Sequence, residues 1–429
     1  MKISLAFDKT GAEIELPERR SISVLRSRFA DALDDPQRAV EAGLQNPIGC
    51  APLEELAAGK RSAAISICDI TRPAPNRIVL PPVIAALERA GIPASQISIL
   101  IATGLHREAT EAELNEIVGP EILARHPVHS HRAKREDEQS FLGETGSGTP
   151  IYIDRRFVEA DLHVTLGFIE PHLMVGFSGG RKLISIGLAG EKTIKRLHSP
   201  PFMRDPAASE GSFPDNPLHR ELIEIAARAG HDFMVDVALT REKKIAKVFA
   251  GQPAAAHARG VQFVRDSTLA TVEEPADAVI TTSGGYPLDL TFYQAVKGVT
   301  AAAHIVKPGG AILLAAACRE GLGSLEFSAL VRRGLHWEAL LDELAGAAVN
   351  VDQWQAEKLA MVARKAGLSF CVPGVPAQDR ARLWGPAFAD PQQAVDDLFA
   401  RLPAGGSVVV IPEGPYVFTQ VLPEPVAAD

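Results

Sequence analysis

Between Ile169 and Lys182 the sequence reads IEPHLMVGFSGGRK, which places an imidazole (His172), a hydroxyl (Ser178), two adjacent glycines (Gly179, Gly180) and an amine (Lys182) on one short stretch. Paired glycines ahead of a cation suggest a turn whose backbone admits an anion, and a helix starting there would offer it unpaired N–H groups. The spacing is not that of a P-loop, and GFSGG is not a nucleophile elbow, because two glycines follow Ser178. H-E-x-x-H and a strand-linked G-x-G-x-x-G are also missing, which argues against a dehydrogenase using free NAD. Two polar clusters precede this stretch: CDITRPAP (68–75), with Asp69 and Arg72, and ATGLHR (102–107), with His106. Downstream, GGYPLDLTFYQAVKG carries Tyr293, Gln294 and Lys297, with Tyr293 and Lys297 on one helix face. HPVHSH (126–131) has the look of a metal site, but its charged surroundings favour a solvated loop.

These clusters share one context, the far end of an apolar run. SAAISICDI (62–70), QISILIATG (96–104) and ADLHVTLGFI (160–169) read as buried strands. Amphipathic segments alternate with them. NRIVLPPVIAALERAG (76–91) reads as a helix whose Pro81-Pro82 marks its start or a kink, and Thr110 with Glu113 forms a capping-box signature. The cadence is that of an α/β protein with mostly parallel sheets flanked by helices, whose ligands bind beyond the carboxyl ends of the strands. KISLAF and AEIELP read as an opening strand pair, and 203–220, rich in Pro and Gly, as an exposed loop. A second cycle of strands and helices begins past TVEEPAD, so two α/β domains are expected, 1–272 and 273–429, with the active site in the cleft between them. The chain's 429 residues suffice for two cores. A net charge of −9 offers no basic footprint for nucleic acid, and no stretch has the ~20 apolar residues of a membrane span. Four scattered cysteines without a C-x-x-C pair, and no leader-like start, make a reducing cytoplasm the expectation.

Taken together, D-x-T-R-P, A-T-G-x-H-R and P-H-(x)5-S-G-G-x-K, followed sixteen residues after Lys182 by His198, resemble the lactate racemase family of nickel-pincer racemases and epimerases. YQAVK (293–297) and QW (353–354) extend the resemblance into the second domain. It implies a cofactor: a pyridinium mononucleotide bearing a thioamide and a thiocarboxylate, joined covalently to Lys182, its nickel completed by His198. It also implies that His106 and His172 exchange the substrate hydroxyl proton on opposite sides while the α-hydrogen leaves and returns as hydride. An unperturbed imidazole, with a pKa near ~6.5, suits that task. Ser178, Gly179, Gly180 and the backbone around them would accommodate the nucleotide phosphate, and Asp69 would orient Arg72 or the cofactor. Arg72 is the candidate for the substrate carboxylate, which its planar fork matches. Tyr293, Gln294, Lys297 and Trp354 would complete the substrate pocket.

The expected activity is therefore inversion of C2 in a lactate-like 2-hydroxy acid. The expected partners are that substrate and the host proteins that make the cofactor, with no nucleic acid or membrane. A metal-dependent lyase or dehydratase on the same scaffold is the alternative, and a cofactor-sensing binding protein a third reading. Which 2-hydroxy acid, and which oligomeric state, the sequence leaves open.

Overall fold

The computed structural model describes residues 1–18 and 21–422. They form two compact units, one of residues 29–197 and 207–267, the other of residues 1–28, 198–206 and 268–429. The expected division at 272/273 lies close to the last crossing between units, at 267/268. Residues 1–28 and 198–206, however, fold with the C-terminal unit rather than the N-terminal one.

In the first unit a six-stranded sheet runs in the order Ile245–Gly251, Phe233–Leu239, His163–Phe168, Ala63–Cys68, Ile97–Ala102 and Val128–Ser130. Every neighbouring pair is parallel except the edge pair Phe233–Leu239/Ile245–Gly251. Ala63–Cys68 is buried along its whole length, as a strand covered by helices on both faces must be. From it the chain moves outward through Ile97–Ala102 and Val128–Ser130, then returns on the other side at His163–Phe168. The strand order therefore reverses between Ala63–Cys68 and His163–Phe168. Segments leaving those two carboxyl ends diverge there and open a crevice.

The second unit repeats the plan in the order Ala387–Phe388, Gly367–Cys371, Val306–Ala315, Ala276–Thr282, Val408–Ile411 and Ile22–Val24, all parallel. Alternate residues serve opposite faces: Val279, Ile312 and Leu314 belong to one apolar cluster, Ala278, Ile280 and Leu313 to another. The second cluster also holds Ile3, Leu5, Ile14 and Leu16 of the antiparallel opening hairpin. That burial explains why residues 1–28 join this unit: without the hairpin, part of the sheet's apolar face would meet water.

Local expectations met mixed outcomes. The Thr110–Glu113 capping box forms, with both reciprocal bonds in place at the start of Glu111–Val118. The helix Asn76–Arg89 runs through Pro81 and Pro82 instead of starting there. Residues 203–220 are not an exposed loop: Glu210 is 6 % exposed and Asn216 fully buried, and the helix Pro217–Ala229 begins within them. HPVHSH is not a solvated loop either. It contributes the edge strand Val128–Ser130, and His131 is fully buried between the Asp154 carboxylate and the Ala189 carbonyl, each 2.9 Å away. Among the described residues, no group of three His, Cys, Asp or Glu side chains could hold a metal, and no helix is long and apolar enough to cross a membrane.

Candidate active site

At the carboxyl end of Ala63–Cys68, Asp69 is buried and its two oxygens are engaged: Oδ1 accepts from the Thr71 hydroxyl at 2.7 Å, and Oδ2 meets His106 Nδ1 at 2.7 Å. Asp69 thus orients His106, a contact the sequence did not suggest. Burial alone would raise its pKa, but the hydrogen bond and charge of His106, with Arg72 and Thr71, hold it below the usual carboxylate range. The His106 ring sits after Ile97–Ala102 in a turn closed by a 2.9 Å bond from its N–H to Thr103 O. With Nδ1 facing a carboxylate, the ring keeps a proton there and leaves the Nε2 lone pair outward. Arg72 is half-buried, and no carboxylate lies within ion-pair distance of its guanidinium among the described residues.

Beyond His163–Phe168 the chain makes a tight hairpin, Pro171–His172 against Gly176–Phe177. Gly176 has φ +76, and a Cβ there would lie 2.0 Å from Ser212 O, so only glycine fits. His172 Nδ1 accepts from the N–H groups of Met174 (3.3 Å) and Val175 (3.4 Å). That assigns the neutral ring's proton to Nε2. Asn216, which the sequence reading missed, pins the hairpin by donating to Met174 O at 2.8 Å while its Oδ1 caps the next helix.

The Ser-Gly-Gly turn is held by contacts within the unit. The Ser178 hydroxyl accepts from Glu170 N–H (2.9 Å) and donates to Phe168 O (3.0 Å), so it braces the turn internally. Gly179 (φ +88) and Gly180 (φ +43) are glycine for conformation and for clearance: added Cβ atoms would lie 2.2 Å from Asp236 Oδ2 and 2.7 Å from Met234 Sδ. The carboxylate of Asp236, fully buried on Phe233–Leu239 opposite Gly167, lies against this turn. Burial pushes Asp236 up to about 7, against the pull of the Gly180 N–H and the Arg181 guanidinium, and neither oxygen completes a hydrogen bond of good geometry. The sequence carried a signal for it, a lone charge inside the apolar run FMVDVAL.

Lys182 is the second residue of the short helix Arg181–Ser185 that follows this turn. It is half-buried, and its Nζ makes no hydrogen bond or ion pair among the described residues. Loss of hydration and then the Arg72 guanidinium push its pKa down to about 8, with Glu170 and Cys68 opposing. A sizeable share of this amine is consequently neutral near physiological pH, unlike an ordinary lysine near ~10.4.

In the other unit, His198 is 7 % exposed and its ring lies 4.3 Å from that of Trp354, at 42°. Trp354 is itself buried and donates Nε1–H to the Tyr293 hydroxyl at 3.1 Å. Trp354 thus packs against His198 while tied to Tyr293. The segment carrying His198 is anchored by Arg204, which reaches Glu357 at 2.5 Å on the same helix as Trp354, Gln353–Lys365. Gln294, in the first turn of Phe292–Ala302, has a buried Oε1 without a hydrogen-bond partner, and Lys297 lies one turn on. The structure so divides the candidate residues into two sets. Asp69, Arg72, His106, His172, Ser178, Gly179, Gly180 and Lys182 fall in one unit, and His198, Tyr293, Gln294, Lys297 and Trp354 in the other.

Comparison with known proteins agrees with this plan. Residues 7–211 match the lactate racemase N-terminal domain and residues 271–418 the lactate racemase C-terminal domain. A lactate racemase of Thermoanaerobacterium thermosaccharolyticum is 36% identical over 84% of this chain and 85% of its own length. One from Lactiplantibacillus plantarum is 34% identical over 96% and 98%. The solved lactate racemase apoprotein of T. thermosaccharolyticum superposes with a TM-score of 0.92 at 32% identity, covering 98% of this chain and all of that one. A Thermotoga maritima protein of 15% identity and TM-score 0.66 shares the fold, over 90% of this chain and 99% of its own.

Proposed function

Since the chain belongs to the lactate racemase family, we propose that it is a racemase or epimerase inverting C2 of a lactate-like 2-hydroxy acid, with a nickel-bearing pyridinium mononucleotide joined to Lys182. The carrying observation is a contrast at the crevice. The Lys182 amine and His106 Nε2 make no hydrogen bond or ion pair among the described residues, and the Arg72 guanidinium reaches nothing closer than Thr71 O at 3.5 Å, whereas Ser178 and Asp69 are fully engaged. Groups left without partners at a strand-order reversal are groups available to a ligand.

The donor chemistry fits the implied cofactor. A lysine with its pKa near 8 can form an amide-type linkage, which an ammonium cannot, and the His198 imidazole is a nitrogen donor suited to nickel. When bound, the group supplies an electrophilic carbon able to accept the α-hydrogen with its electron pair and return it to either face. The remaining work falls to the chain. Arg72 grips the substrate carboxylate, with Gln294 and Lys297 as further contacts. His106 takes the hydroxyl proton at Nε2, and Asp69, 2.7 Å from Nδ1, stabilises the resulting imidazolium. His172 presents Nε2–H, because backbone N–H groups hold its Nδ1 as an acceptor. The pair is therefore unequal at rest, one ring poised to take a proton and the other to donate.

This reading places the protein in the cytoplasm, loaded by proteins that build the nucleotide. Its test uses protein from a host that makes the nucleotide. Intact mass should show an adduct on Lys182 with one bound nickel, and a 2-hydroxy acid deuterated at C2 should racemise while keeping its label. Active protein with unmodified Lys182, or extensive exchange of the C2 hydrogen with solvent, would overturn the proposal. Formation of an unsaturated or keto acid would favour a lyase instead.

A further inference from the structure

Arg181 stands between the glycine pair and Lys182, and its side chain turns back into the protein, where it is 4 % exposed. Nη1 donates to Ser178 O and Gly179 O, both at 3.0 Å, and meets His257 Nε2 at 2.7 Å. Nη2 donates to Val175 O (3.2 Å) and Phe177 O (2.7 Å), and Nε to His219 Nδ1 (3.1 Å). The four carbonyls belong to two functional pieces of backbone. Val175 and Phe177 lie in or beside the hairpin that presents His172, while Ser178 and Gly179 form the turn that launches Lys182. Gly179 O also accepts the Lys182 N–H at 3.1 Å. On the other side of the turn, Asp236 fills the spaces that side chains at 179 and 167 would need.

We propose that Arg181 is a positioning residue, whose planar fork fixes the Lys182 turn in register with the His172 hairpin so that the amine and the imidazole face one ligand in a set geometry. The inference rests on the role given to Lys182 above. Its physical ground is the expense of the arrangement. A guanidinium buried without a hydrogen-bonded carboxylate forfeits its hydration with no opposite charge in contact to offset the loss. Burial pushes Arg181 down to about 9, and only the charge of Asp236 opposes this. An apolar residue would fill the same space without that penalty, but it could not bond four carbonyls in one plane. Lysine could not do so either, since its donors radiate from one point. His219 Nδ1 suits the role of a neutral acceptor, and His257 Nε2 lies against both Arg181 Nη1 and Ser178 O, the latter at 2.8 Å: burial, then the Arg181 charge, lowers both rings, His219 to about 3.

The test reads Lys182 directly in full-length protein made without the cofactor. Acetylation by N-hydroxysulfosuccinimide acetate is followed site by site in peptide fragment spectra as a function of pH. In the wild type, Lys182 should react with a midpoint near pH 8, set by burial and by Arg72, Glu170, Cys68 and Arg181 around it. Arg181→Lys keeps the positive charge but loses the fork. The freed turn should let the amine hydrate, moving the midpoint up by more than one pH unit and slowing labelling at pH 8 by about tenfold. His257→Gln, a milder change that removes one partner of Nη1, should move it the same way by less, and decides the matter if Arg181→Lys does not fold. His131→Asn, which unsettles a buried histidine elsewhere in the same unit, should lower the melting temperature without moving the Lys182 profile. A folded Arg181→Lys or His257→Gln protein whose profile overlays the wild type would overturn the proposal, as would an equal shift in His131→Asn. Failure of the anchoring role itself would show separately, as wild-type protein from a cofactor-producing host with no adduct on Lys182.

Discussion

At the scale of single residues, the Asp69–His106 contact ties the first strand end to the proposed chemistry. A carboxylate 2.7 Å from Nδ1 fixes the ring's tautomer and orientation, so the two residues act as one unit. Asp69→Asn keeps the shape and removes the charge. Turnover of the loaded enzyme is expected to fall by about 10–100-fold with KM little changed, as for other residues that orient a functional histidine. His106→Ala should cost about 10²–10⁴-fold, the usual share of a general acid–base group. Chiral analysis of product under saturating substrate checks both. Full turnover in Asp69→Asn would show that the short contact has no part in proton transfer.

At the scale of elements, the Ser-Gly-Gly turn concentrates the demands of sequence on structure. Gly179→Ala would force a Cβ to within 2.2 Å of Asp236 Oδ2 at φ +88, whereas Gly148→Ala, at φ +74, meets nothing within 4 Å. The second change should cost only left-handed strain, about 1–2 kcal/mol, and the first distinctly more. Thermal melting of the two variants separates clearance from conformation. How far this was legible beforehand differs from one element to the next. The strands were readable because a sheet covered on both faces demands unbroken apolar runs such as AAISIC and HVTLGF, and the capping box because its two side chains are local. The candidate residues were readable because they follow those runs. What stayed hidden depends on long-range contact. The glycine pair suggested an anion-admitting turn, but the side chains that leave no room for a Cβ there, Asp236 and Met234, lie more than fifty residues away. Likewise the polar stretch 203–220 gave no hint that Asn216 would be buried under the His172 hairpin.

At the scale of the whole molecule, the buried ionisable groups set a pH window for stability. Burial raises Glu210 to about 8 and Asp236 to about 7, so in the folded state they hold protons that the unfolded chain releases near pH 4, and they favour folding less as pH climbs from there to 8. His219 and His231, lowered to about 3, and His304, lowered to about 4, act in the opposite sense: the unfolded chain binds more protons up to about pH 6.5, so stability rises with pH to that point. Urea unfolding should accordingly show a maximum near pH 6.5 and a decline toward pH 8. Asp236→Asn should flatten that decline, and an unchanged slope would mean its carboxyl is already ionised in the native protein. Topology adds a temporal constraint. Among the described residues Ile22–Val24 pairs in its sheet with Val408–Ile411, so on the ribosome this edge must wait for several hundred further residues to be made. During that interval Ile3, Leu5, Ile14 and Leu16 have no sheet to cover, and for such a nascent chain a slow pause or a holding chaperone is a question of yield rather than of catalysis.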